Sequence, residues 1–160
     1  MTDQKDVWST TDFSIAAYLH SLGIRLINAT LKPGSRQDYE FHFDDRSGKC
    51  ESLAIKFLNT EEYRFDQSQR ALKKLAFGWN SNTGGDKGTW DTTDLSLAAF
   101  ILSRGCQLVG FRRIHRTRRE YQFNFLDDGR CNSLSVSFIN SDPHKFDQSQ
   151  RALKKLIFSR

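Results

Sequence analysis

Long apolar stretches are missing from this chain. No run of 18 apolar residues occurs among its 160, so a membrane-spanning helix is not expected. The opening residues, Met1 to Val7, are polar and do not make the apolar centre of a signal peptide. A cytoplasmic protein with no membrane partner is the resulting expectation. Cysteine is scarce and poorly spaced. Cys50, Cys106 and Cys131 are odd in number and show no C-x-x-C pattern, which speaks against a disulfide framework or a zinc site. They read as reduced thiols acting as small apolar residues. The P-loop, G-x-S-x-G and G-x-G-x-x-G patterns are also absent. His20, His42, His115 and His144 have neither H-x-x-x-H pairing nor nearby cysteine spacing. These absences predict no catalytic residue, no metal and no cofactor.

What the chain does have is ordinary globular composition, with 38% apolar and 27% charged residues and thirteen Phe to build an aromatic-rich core. Its net charge of +5 is unevenly distributed. Met1 to Thr89 carries 12 Lys+Arg against 12 Asp+Glu, whereas Trp90 to Arg160 carries 12 against 7. All the excess positive charge lies in the second half, a pattern associated with an anionic partner.

The two halves are related. Trp8-Ser-Thr-Thr-Asp12 corresponds to Trp90-Asp-Thr-Thr-Asp94, and Tyr39-Glu-Phe-His-Phe43 to Tyr121-Gln-Phe-Asn-Phe125. Phe65-Asp-Gln-Ser-Gln-Arg-Ala-Leu-Lys-Lys-Leu75 recurs unchanged as Phe146 to Leu156. Nearly half of the 69 aligned pairs are identical, which marks an internal duplication. The expected organisation is a first repeat over 8–77, a glycine-rich linker over 78–89 with four glycines in twelve residues, and a second repeat over 90–158.

Each repeat reads as an α+β module of order α-β-β-β-α. The first helix has Thr10 or Thr11 (Thr92 or Thr93) as cap, Asp12 (Asp94) at its positive end and Gly23 (Gly105) as its stop. Its apolar residues, including Ala16-Ala17 and Ala98-Ala99, cover nearly the whole circumference, which predicts a buried helix. Three strands are expected, at Ile24 to Leu31, at Gln37 to Asp44, and around Leu53, Ile55 and Phe57. Their counterparts are Cys106 to Arg113, Arg119 to Leu126, and Leu134, Val136 and Phe138. A closing helix capped by Asp66 (Asp147) would turn Ser68, Ala71, Leu72 and Leu75 inward. The expected fold is α+β with antiparallel sheets, helices on one face and a pseudo-twofold arrangement like a homodimer fused into one chain. A continuous six-stranded sheet is one form it could take, and a monomer is compatible with it.

The Thr-Thr-Asp helix with paired alanines (Thr10-Thr11-Asp12 with Ala16-Ala17, Thr92-Thr93-Asp94 with Ala98-Ala99), the F-x-F strand and the lysine-bearing closing helix resemble a family of short bacterial and phage domains of unknown function. That resemblance implies no particular activity. Duplicated homing endonucleases also pair small-residue helices, but they carry a metal-binding acid at the helix end, where this chain has His20-Ser21 and Leu102-Ser103. A nuclease of that kind is disfavoured.

The candidate binding residues are basic. Phe111 to Arg119 holds Arg112, Arg113, Arg116, Arg118 and Arg119 with His115, whereas the equivalent stretch of the first repeat is a Pro-Gly turn with Lys32 and Arg36. Arginine suits phosphate because its planar fork bonds bidentately and stays charged. Nucleic acid, DNA or RNA, is therefore the leading partner, with an acidic protein surface as the alternative and a plain solvated loop as the bland reading. Arg70, Lys73 and Lys74 recur as Arg151, Lys154 and Lys155 on the closing helices. They could extend a phosphate track or simply suit the C-terminal half of a helix. The Tyr39 and Tyr121 strands could stack bases, but core packing explains their aromatics better. An open sheet face would then be the one bearing His42, Lys56, Asn124 and Ser137.

Overall fold

The computed structural model describes residues 6–78, 88–115 and 120–159. They form six strands and six helices, with the strands in two three-stranded antiparallel sheets. The chain divides into two compact units that do not follow the repeat boundaries: unit 1 is Met1–Glu62 with Lys145–Arg160, and unit 2 is Tyr63–His144.

Unit 1 contains β1 (Val7–Thr10), α1 (Phe13–Ser21), β2 (Leu26–Leu31), β3 (Tyr39–Asp44) and α2 (Cys50–Phe57). The Asp12 carboxylate, not a threonine, caps α1 by accepting from the Ile15 N–H at 3.0 Å, and Thr10 accepts from the Asp12 N–H instead. Gly23 ends the helix at φ 83°, a left-handed conformation that glycine adopts without a Cβ penalty. The sheet has order β1-β3-β2. Phe41 and Phe43 alternate with half-buried Glu40 and His42, so one face of β3 is core. Ala16, Ala17 and Leu19 are fully buried, as expected of this helix.

Unit 2 begins in α3 (Glu61–Gly78) and continues through β4 (Thr89–Thr92), α4 (Leu95–Ser103), β5 (Leu108–Arg113), β6 (Tyr121–Leu126) and α5 (Cys131–Ile139). Its sheet has order β4-β6-β5, and Asp94 caps α4 through the N–H groups of Ser96 and Leu97. The last helix, α6 (Asp142–Phe158), supplies unit 1 from Lys145 onward. Unit 1 thus carries the Phe57–Phe146 ring contact at 5.8 Å, and unit 2 the corresponding Phe65–Phe138 contact at 5.9 Å. Tyr39 adds a bond from its hydroxyl to the Ile157 carbonyl at 3.3 Å.

Several expectations are corrected. The third strand of each repeat is a helix, α2 or α5. Cys50, Leu53, Ala54 and Phe57 recur at helical spacing, and Ile55 and Val136, which a strand would have turned inward, are 63% and 68% exposed. The Asp45 carboxylate accepts from the Lys49 and Cys50 N–H groups at the start of α2, which a helix needs and a strand does not. A short strand, β1 or β4, precedes the first helix and pairs along β3 or β6. The order within each repeat is therefore β-α-β-β-α-α, and the strands make two separate sheets rather than one of six. The closing helices start at Glu61 and Asp142, with Ser141 accepting from the His144 N–H at 3.2 Å, so Asp66 and Asp147 are interior residues and not caps. The buried stripe of α3 is Glu62, Phe65, Asp66, Gln69, Leu72 and Ala76. Of the residues expected there only Leu72 is buried, and Ala71 is exposed. The polar sheet face also dissolves: Lys56 and Ser137 stand on helices, and Asn124 is 1% exposed.

Candidate nucleic-acid interface

The basic hairpin starts on an edge. Strand β5 has β6 as its sheet neighbour and lies at the end of the order β4-β6-β5. Phe111, opposite Phe123, turns into the core, and the following Arg112 and Arg113 pair with Gln122 and Tyr121. Successive residues of a strand face opposite sides, so the two exposed arginines leave the sheet in different directions. The Arg112 Nε donates to the Gln122 carboxamide oxygen at 2.5 Å. Beyond them, the Ile114 N–H donates to the Glu120 carbonyl at 2.9 Å and closes the hairpin. The His115 ring lies 3.5 Å from the Glu120 carboxylate, a contact that becomes an ion pair when the ring is protonated. Arg116, Arg118 and Arg119 lie outside the described residues. Charged side chains on an edge strand also discourage pairing with other chains, a structural task these arginines serve with or without a ligand.

The helical cations have a different setting. Arg70 donates from Nε to the buried Asp66 carboxylate at 2.9 Å, and Arg151 to the buried Asp147 carboxylate at 3.0 Å. Four residues apart on one helix, each pair brings a guanidinium over a carboxylate that would otherwise be costly to bury. Lys154 places its ammonium 5.7 Å from the Phe13 ring centre, a cation–π contact, while Lys74 and Lys155 are exposed and Lys73 is half-buried. Arg70, Lys73 and Lys74 share unit 2 with the arginine hairpin, whereas Arg151, Lys154 and Lys155 belong to unit 1. Counted by compact unit, unit 2 carries 12 Lys+Arg against 8 Asp+Glu and unit 1 carries 12 against 11. Unit 2, to which the hairpin belongs, thus holds four of the five excess positive charges.

Three polar features were not legible beforehand. The His20 ring Nδ1 and the Ser149 hydroxyl lie 2.9 Å apart, joining α1 to α6 within unit 1. Asn124 donates to Asp91 at 2.6 Å across the β4–β6 pair, and its own carboxamide oxygen is buried with no hydrogen-bond partner among the described residues. The third is a cluster of Cys106, Asp128 and Cys131, whose ligand-type atoms lie within 4.8 Å of one another. Burial pushes the Cys131 thiol up to about 11, with the neighbouring Cys106 and the acids Asp127 and Asp128 adding to the effect. Cys50, the counterpart of Cys131, is pushed up to about 12 by burial and by Asp45, so both behave as protonated, inert thiols on their own. Arg130, hydrogen-bonded beside Asp128, holds that carboxyl below its usual range. The chain matches no protein-family model, no curated protein and no solved structure.

Proposed function

We propose that this chain is a non-catalytic nucleic-acid-binding protein, two tandem copies of one module in a pseudo-twofold design, with the arginine hairpin of the second copy as its main contact. The observation that carries this reading is Arg112 and Arg113 on an edge strand, followed in the sequence by three further arginines, in the unit that holds four of the five excess positive charges. Opposed Arg112 and Arg113 suit a curved phosphate backbone better than a flat acidic surface, because each guanidinium can bond a different phosphate. Arginine contacts to the phosphate backbone carry no sequence information of their own, which favours binding that tolerates many sequences.

The test is affinity for duplex DNA, single-stranded DNA and RNA across a salt series. Contact with about four or five phosphates gives a slope of log K against log salt near −4 on duplex. Replacing Arg112, Arg113, Arg116, Arg118 and Arg119 together with Gln should flatten that slope and remove most of the affinity. Affinity that is insensitive to salt, or unchanged by the replacement, rejects the reading. Binding to polyglutamate but to none of the nucleic acids would assign the hairpin to an acidic protein partner.

A further inference from the structure

Cys106 and Cys131 are 25 positions apart in sequence, yet the fold of unit 2 brings them together with Asp128. Cys106 follows the left-handed Gly105 that ends α4, and its N–H donates back to the Ile101 carbonyl at 3.3 Å. Cys131 is the first residue of α5. The turn before it is set by two aspartates: Asp127 accepts from the Gly129 N–H and Asp128 from the Arg130 N–H, each at 3.0 Å. Both thiols are buried and Asp128 is exposed, so the three potential ligands lie between core and solvent, with an approach from the Asp128 side.

The first repeat provides the comparison. It keeps the cysteine at the helix start as Cys50 but has Ile24 in place of Cys106 and Arg46 in place of Asp128. An isolated buried cysteine is therefore what the module needs for packing. The second thiol and the carboxylate are additions of the second copy, and they converge on the same point. In a tetrahedral site two sulfurs each about 2.3 Å from the ion lie about 3.8 Å apart, and the observed ligand atoms lie within 4.8 Å of one another, so one ion is within reach of all three. Charge also balances. Two thiolates and one carboxylate carry three negative charges, against two on a divalent ion and one on Arg130, whose guanidinium already holds Asp128 at 2.6 Å.

We propose that Cys106, Cys131 and Asp128 form a binding site for one divalent cation of the zinc class. Soft sulfur donors with a single carboxylate select this borderline ion over magnesium or calcium, which prefer all-oxygen sets. The ion would tie the end of α4 to the start of α5 and so stiffen the unit that carries the arginine hairpin.

The experiment uses the full chain, reduced and treated with chelator, titrated with zinc(II) and then with cobalt(II) as a spectroscopic probe. The expected result is uptake of one equivalent, a thiolate-to-cobalt charge-transfer band, and a zinc-dependent rise in Tm. Cys106→Ala and Cys131→Ala, which keep the core apolar, should each abolish uptake, and Cys50→Ala should leave it intact. Losing a group that merely orients a ligand weakens metal binding by about 10–100-fold, so losing a sulfur ligand should exceed that. Asp128→Asn, an exposed change that does not threaten folding, should weaken binding about tenfold or more while retaining the thiolate band. No stoichiometric uptake, or uptake that survives both cysteine replacements, overturns the site. If oxidised glutathione joins Cys106 to Cys131 while the reduced protein takes up no zinc, the pair is a redox couple and the metal proposal fails.

Discussion

Among single residues, the closest decision concerns Arg70 and Arg151. They recur in both repeats, as phosphate contacts would, but each also covers a carboxylate buried within its own helix. A half-exposed i,i+4 ion pair of this kind contributes about 0.2–1 kcal/mol to folding, whereas an exposed phosphate contact contributes nothing to it. Arg70→Gln and Arg151→Gln should therefore lower unfolding stability by roughly that amount, read from urea titration, with little effect on nucleic-acid affinity. Arg112→Gln and Arg113→Gln should do the reverse. A loss of affinity without a loss of stability at Arg70 would return the helical cations to the interface. This contrast also explains what could be read beforehand. The arginine hairpin is contiguous, so composition alone displays it. Cys106, Asp128 and Cys131 are brought together by a helix end and two loops, and no spacing rule in one dimension announces them.

At the scale of elements, the first helix, the two longer strands and the existence of a closing helix were legible because each carries a sustained period and its own stop signal. Gly23 and Gly105, both at positive φ, are such stops. The segment around Leu53 was not, because Leu53, Ile55 and Phe57 satisfy a period of two while Cys50, Leu53, Ala54 and Phe57 satisfy a helical one. The decision rests on groups outside that run, Asp45 at the helix start and the burial of Cys50. The four-residue β1 escaped notice for a different reason. Its pairing is with β3, more than thirty residues on, and a short edge strand has little pattern of its own. The helical assignment makes a sharp prediction. Ile55→Lys and Val136→Lys fall on exposed faces and should change stability by less than about 0.5 kcal/mol. Phe57→Ala and Phe138→Ala remove buried rings and should each cost about 3–5 kcal/mol. A strand would make all four costly, so urea midpoints of the four variants separate the alternatives.

For the whole molecule, the issue is which closing helix completes which unit. Phe65 to Leu75 and Phe146 to Leu156 are identical, so either helix presents the same side chains to either copy. Local pattern cannot distinguish self-closure from exchange; only the connections can, and the compact units follow exchange, with α6 in unit 1 and α3 in unit 2. The ring of Phe57 accordingly meets Phe146, and Phe138 meets Phe65. This connectivity has a direct consequence. A protease site placed within 79–87 would cut the chain between the repeats, leaving one fragment with α3 and the other with α6. Separating them would require withdrawing Phe146 and Leu153 from unit 1 and Phe65 and Leu72 from unit 2, all four nearly or fully buried. Exposing a side chain of that size costs about 1.5–3 kcal/mol, so the cut fragments should remain together at micromolar concentration, eluting on size exclusion at the volume of the intact chain. They should separate only in denaturant. Two independent peaks at half the mass under native conditions would mean that each repeat keeps its own helix, and the exchange would be refuted.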